Sequence, residues 1–245
     1  GNQAIYEGAV ITVFAETQNQ FGNRYEAAID GFAIEGGDQQ GFPNNINQIG
    51  GGNNGQAANV VIQGGGIFVN AYARNLNITN NIIQNNGGAY GGAIRLGTPN
   101  LPPGDPGKDA QNDNIFIANN QILANGGTNL AGAIGVFDGA ERYEIAHNDI
   151  CGNYSTEYGG GISHYGYSPL GSIHNNRIYF NHSMDEGGGI MIAGELPPNS
   201  ATTLSPGAGP VDIYSNIVQA NLSNDDGGGL RFLMGAQTAA VLGEE

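Results

Sequence analysis

Asp138, Glu141 and Arg142 place two carboxylates and a guanidinium within one short stretch, "DGAERY". Two carboxylates about 5–10 Å apart can serve as acid and base in glycoside hydrolysis. An arginine beside them could take the proton in a lyase reaction, with a cation stabilising the charge that develops. His164, in "GGGISHYGY", is a further candidate for proton transfer. Phe137, Tyr165 and Tyr167 stand close to both stretches. Their rings offer apolar faces to sugar C–H groups. A separate set, Glu157, Asp185, Glu186, Asp225 and Asp226, collects just before successive glycine runs. Carboxylates so placed are candidate ligands for Ca2+, which takes six to eight oxygens. No HExxH or Cys/His metal pattern occurs.

The elements that position these residues are encoded by an internal repeat. A glycine tetrad ends at Ile67, Ile94, Ile134, Ile162, Ile190 and Leu230, at spacings of 27, 40, 28, 28 and 40 residues. The period is therefore ~28, with two repeats lengthened by an insertion. In phase with it runs I-x-x-N-x-[IV]-x-x-N, from Ile78/Asn81/Ile83/Asn86 through Ile117, Ile145 and Ile173 to Ile213/Asn216/Val218/Asn221. The segments are short, rich in isoleucine and broken by Asn and Gly, so they read as strands with corners rather than helices. One repeat cannot bury its own apolar face, but stacked copies can. Isoleucine columns should fill the interior. Asn columns should mark corners, tolerate left-handed backbone and pass amide hydrogen bonds up the stack. The glycines should allow a bend where a Cβ would clash. Of the sequon asparagines Asn77, Asn153, Asn181 and Asn221, three fall in a ladder column, and all four read as structural.

This pattern resembles the right-handed parallel β-helix, or pectate-lyase-like, superfamily. "IDGFAIEGG" (residues 29–37) is similar to an early coil of such proteins. The GGAI/GGGI tetrads are similar to repeats of polymorphic outer-membrane passenger domains and bacterial surface β-helices. The resemblance implies an all-β, right-handed parallel β-helix (solenoid) of about 6–7 coils of ~28 residues. The whole of residues 1–245 reads as a single domain, the mature part or a piece of a longer secreted or surface protein. The resemblance does not choose a function, because lyases, hydrolases and adhesins share the scaffold. The Gly-His-Gly and Arg-x-Lys set of polygalacturonases is absent, as is the clustered Arg/Lys set of pectate lyases.

Departures from a repeat are where function concentrates. Two Pro/Gly-rich insertions, residues 98–113 and 194–210, leave the same corner of coils three steps apart. Their roots should lie about 14 Å apart, at ~4.8 Å per coil. The coils between them would floor a groove with Phe137, Asp138, Arg142, Tyr165 and Tyr167 exposed. Ordinary packing of those rings under the loops is the competing reading. For His164, whose column is otherwise apolar, a hydrogen-bonded interior position is favoured over a catalytic one. For the five carboxylates, a solvated turn competes with a Ca2+ ladder.

Composition narrows the partners. The net charge of −15, with seven Lys+Arg, argues against nucleic acid and anionic membrane surfaces. No apolar run is long enough to span a membrane. The single cysteine, Cys151, allows no intrachain disulfide and reads as a packing residue. The expectation is an extracellular or cell-surface module with a structural or adhesive role, binding polysaccharide in the groove and adjoining further domains. The alternative is a polysaccharide lyase or glycoside hydrolase.

Overall fold

The computed structural model describes residues 9–13, 15, 21–22, 26–37, 65–69, 72–88, 90–97, 109–127, 129–194, 207–233 and 240–242. Most of each insertion, residues 98–108 and 195–206, lies outside the described residues. Among the described residues there is no helix. Among these residues, none forms a helix long and apolar enough to cross a membrane.

The strands of the described residues form four parallel sheets. The tetrad sheet has seven strands, from Ile11–Val13 and Ile67–Val69 through Ile134–Val136 and Ile162–Tyr165 to Leu230–Leu233. A second seven-stranded sheet runs from Ala27–Asp30 through Glu144–Ala146 to Ala240–Leu242. A six-stranded sheet contains Asp149–Cys151, and a five-stranded sheet of two-residue strands contains Tyr154–Ser155. The chain visits the sheets in turn and then returns to the tetrad sheet beside its previous strand. Each strand thus pairs with the equivalent strand of the next repeat, which is the arrangement of a parallel β-solenoid.

Register follows the repeat. Ile78, Ile117, Ile145, Ile173 and Ile213 pair in sequence along one column. The first four are 0% exposed and Ile213 is 8% exposed. At the corners, Asn81, Asn120, Asn148, Asn176 and Asn216 form a ladder. Each Nδ2 donates to the Oδ1 of the next asparagine at 3.0 Å. Each backbone N–H donates to that same oxygen. Asn86, Asn125, Asn153, Asn181 and Asn221 repeat the device at the following corner, at 2.9–3.0 Å. Asn153 and Asn181 are 1% and 0% exposed, so their carboxamides serve the lattice rather than the surface.

The left-handed residue of each corner is not the ladder asparagine but the one before it. Asn80, Asn119, His147, Asn175 and Ser215 have φ between 54° and 59°. This residue turns the chain so that the next side chain points inward. The outward position accepts several residue types at some backbone cost.

The tetrad glycines have two distinct jobs. Gly159 adopts φ 67° and lets the preceding segment hook outward, over the face of the tetrad sheet. The next residue, Gly160, sits where an added Cβ would lie 2.5 Å from the Gly188 carbonyl oxygen of the neighbouring coil.

Candidate functional site

The tetrad sheet has packed material on both faces. Its inward column includes Val136, His164 and Ile192 in register. His164 is 0% exposed. Its Nδ1 lies 2.8 Å from the Tyr143 hydroxyl and its Nε2 lies 2.9 Å from the Gly166 carbonyl oxygen. With Nε2–H donating to the carbonyl and Nδ1 accepting from Tyr143, the neutral ring satisfies both bonds. Burial lowers its pKa to about 4. His164 is therefore a hydrogen-bonded interior residue, shut off from any substrate.

On the outer face, Phe68, Arg95, Ser163 and Met191 are at most 2% exposed although alternation points them away from the interior. The glycine hooks cover them. Tyr90, Leu130 and Phe137 form a small second core there, with Tyr158 and Tyr165 packed against it. The Arg95 guanidinium lies 4.8 Å from the Phe68 ring centre and 5.5 Å from those of Tyr90 and Phe137.

This layer corrects the groove expected from the sequence. Phe137 does leave the main interior, but it is 0% exposed and meets Tyr90 edge-on at 5.5 Å between centroids. Asp138 is 2% exposed, and its Oδ1 accepts the Tyr167 backbone N–H at 2.6 Å. Tyr165 is half-buried and stacks on Tyr158 at 6.1 Å. Of the five floor residues, Tyr167 and Arg142 remain open to solvent, Tyr167 at 42% and the Arg142 side chain at 49%. The floor as drawn is closed because the hook before each tetrad folds across it, a path that strand alternation alone does not reveal.

The structure gathers a different constellation beside Arg142. The end of the first insertion, residues 109–113, rejoins the stack rather than looping out: Asn112 donates its N–H to the Gly139 carbonyl. Asp113 thereby falls one repeat before Glu141, and Asn114 one repeat before Arg142. Oxygens of Asp109, Asp113 and Glu141 all lie within 4.8 Å of one another. The Asp113 Oδ2 faces Arg142 at 3.5 Å and Arg74 at 3.6 Å. Arg142 Nε donates to Asn114 Oδ1 at 2.9 Å, and Arg74 donates to Gln111. Burial, then the neighbouring carboxyl groups of Asp113 and Asp109, push Glu141 up to about 8. Glu141 thus holds its proton more tightly than an ordinary carboxyl group, in hydrogen-bonding contact with an arginine-held carboxylate. Asp138 and Glu141, the pair read as acid and base from the sequence, part company: one is buried under Tyr167, the other joins Asp113.

Asp113, Asp109 and Arg74 are the residues the sequence reading missed. The signal was available in the period. Asp113 and Asn114 precede Glu141 and Arg142 by the repeat length, but counting them inside an insertion hid the match.

The carboxylates before the later glycine runs divide. Asp185, Glu186 and Asp225 offer oxygens within 4.8 Å of one another. Arg231, absent from the sequence reading, faces Glu186 at 3.4 Å and Asp226 at 3.1 Å. Glu157 is not one of this trio but feels its charge: burial raises its pKa, a hydrogen bond from Asn129 opposes the shift and Asp185 adds to it.

Comparison with known proteins returned no matching family model, no matching curated protein and no matching solved structure.

Proposed function

We propose that this chain is a right-handed parallel β-helix module of about 6–7 coils, displayed outside the cell or on its surface, with a structural and adhesive role. General crossover chirality supports the hand. The single observation that carries the role is where the chemically capable side chains go. Ten asparagines are tied into ladders, His164 and Asp138 are buried in hydrogen bonds, and Arg95 and Phe137 lie in the outer core. Such a lattice makes a stiff stalk. The net charge of −15 suits a solvated surface object; accessibility to protease on intact cells tests the location.

The polysaccharide contact then falls on what remains exposed at the turn after the tetrad strand: Tyr167, Arg142 and the open edge of Tyr165. The test is glycan-array binding by wild type and by a Tyr167→Ala/Arg142→Ala variant. Loss of binding with an unchanged unfolding midpoint supports this contact, and undiminished binding sinks it. The Asp113–Glu141 pair favours a second reading, glycoside hydrolysis with Glu141 as acid, because a carboxyl group with a raised pKa beside a carboxylate is suited to donate a proton. Reducing-end release from neutral and acidic polysaccharides, abolished by Glu141→Gln, would replace the adhesive reading with that one.

A further inference from the structure

We infer that the ridge between the six- and five-stranded sheets, centred on Phe180, is a contact surface for a second copy of this chain. Phe180 is 64% exposed and takes the left-handed corner position, with φ 55°. The same corner holds Asn85, Ala124, Gly152 and Ala220 in the other coils, all small or polar, with φ between 52° and 65°. A bulky ring there carries backbone strain and leaves apolar surface in water. Among the described residues it meets the Tyr179 ring edge-on, at 5.6 Å between centroids.

The neighbours enlarge the patch. Tyr154 is 38% exposed, Met184 46%, Ile217 57% and Leu222 57%. Tyr154, His182 and Leu222 are in register, and the two earlier coils carry Gly126 and Gly87 in that column. The apolar surface is therefore concentrated on three successive coils, at places where glycine, alanine or asparagine serves the fold elsewhere. Contiguous exposed apolar surface marks an interaction site.

Charge says what covers it. At one end of the strip stands Arg177, whose side chain is 61% exposed and whose ion-pair partner, Asp149, is 3.9 Å away. At the other end stand Asp185 and Asp225, with oxygens within 4.8 Å of each other and of Glu186. Arg231 faces Glu186 and Asp226, and leaves Asp185 and Asp225 without an ion pair among the described residues. A two-fold axis near Phe180, normal to the strip, reverses its direction and brings Arg177 towards the partner's Asp185. The contact is then isologous, with rings at its centre and an opposite-charge pair at each end. Two chains of charge −15 repel elsewhere on their surfaces. The strip measures roughly 25 Å along the chain and about 10 Å across three coils. That is below the ~800 Å² per partner of a stable complex, so the association is weak. The inference is independent of the glycan reading, whose residues lie at the turn after the tetrad strand.

The experiment is sedimentation equilibrium of the full chain from about 10 µM to about 1 mM, the range in which so small an interface acts. Wild type should fit a monomer–dimer equilibrium with Kd on the order of 0.1 mM. Phe180→Asn, which copies the corner of the coil that carries Asn85, should keep or raise the unfolding midpoint and weaken association at least about tenfold. Arg177→Asp and Asp185→Arg should each weaken it by a similar factor. The two together should restore it, because the pair is rebuilt with its signs exchanged. A chain that stays monomeric up to about 1 mM overturns the inference; glycan-array binding lost in Phe180→Asn would then assign the strip to a sugar. A dimer untouched by Phe180→Asn also overturns it, by moving the contact elsewhere. So does a double charge variant that stays monomeric, by removing the two-fold pairing.

Discussion

At the residue scale, the molecule turns polar side chains into interior structure. Asn148 donates to the Ile117 carbonyl and to Asn176 Oδ1, and its own Oδ1 accepts both the N–H and the Nδ2 of Asn120. Asn176 Oδ1 keeps the backbone N–H of residue 148, but Asn148→Leu would strand the Ile117 carbonyl and both the N–H and one amide hydrogen of Asn120, each costing about 1–3 kcal/mol when buried without a partner. The expected loss is at least about 3 kcal/mol, read from the urea midpoint; a change below about 1 kcal/mol would show that the ladder is dispensable. His164 gives a pH signature. Its folded pKa of about 4 lies below the ordinary value of about 6.5. The unfolded chain therefore binds the proton more readily. Stability is fully present above pH 6.5 and falls as pH drops towards 4, by about 3 kcal/mol from this group. His164→Gln should flatten that part of the profile even if it lowers stability at pH 7. An unchanged slope would assign the acid sensitivity to other groups.

At the scale of the element, the tetrad turn is the most constrained piece of each repeat. A Cβ at Gly160 would meet the Gly188 carbonyl oxygen at 2.5 Å and the His182 carbonyl carbon at 2.6 Å, both backbone atoms that cannot swing aside. Gly160→Ala should therefore destabilise by about 1–3 kcal/mol, as overpacking does. Ala131 occupies the hook position that glycine holds in other repeats, with φ 60°. Ala131→Gly should stabilise by roughly 0.5–1 kcal/mol through relief of left-handed strain, offset in part by unfolded-state entropy. Thermal melts of the two single variants check both signs; a destabilised Ala131→Gly would mean that the alanine methyl's packing outweighs its backbone strain.

At the scale of the whole molecule, stability should be graded along the stack. Ile150 and Ile178 are 0% exposed, whereas Val218, next in the same column, is 37% exposed and Ile217 beside it 57%. Regions with fewer buried apolar contacts open at lower free energy. Amide exchange should be slowest at Asn120 and Asn148 and fastest at Asn216 and Asn221 among the ladder residues. Uniform protection along the ladders would mean that the stack opens only as a unit.

The sequence by itself determined the repeat, the strand columns, the inward isoleucines and both Asn ladders. It could do so because a stacked lattice places residues one period apart in contact, so spacing becomes distance. It also determined that His164 belongs to the interior column. Tertiary structure decided what happens off that lattice. The hook before each tetrad buries Phe137, because a left-handed residue such as Gly159 sends the chain back over the sheet it is about to join, and the turn after the next tetrad strand buries Asp138 under Tyr167. No pattern of alternation encodes that path. Tertiary structure also decided that residues 109–113 rejoin the stack, bringing Asp113 to Glu141, since the point where an insertion ends depends on which backbone groups find partners in the neighbouring coil.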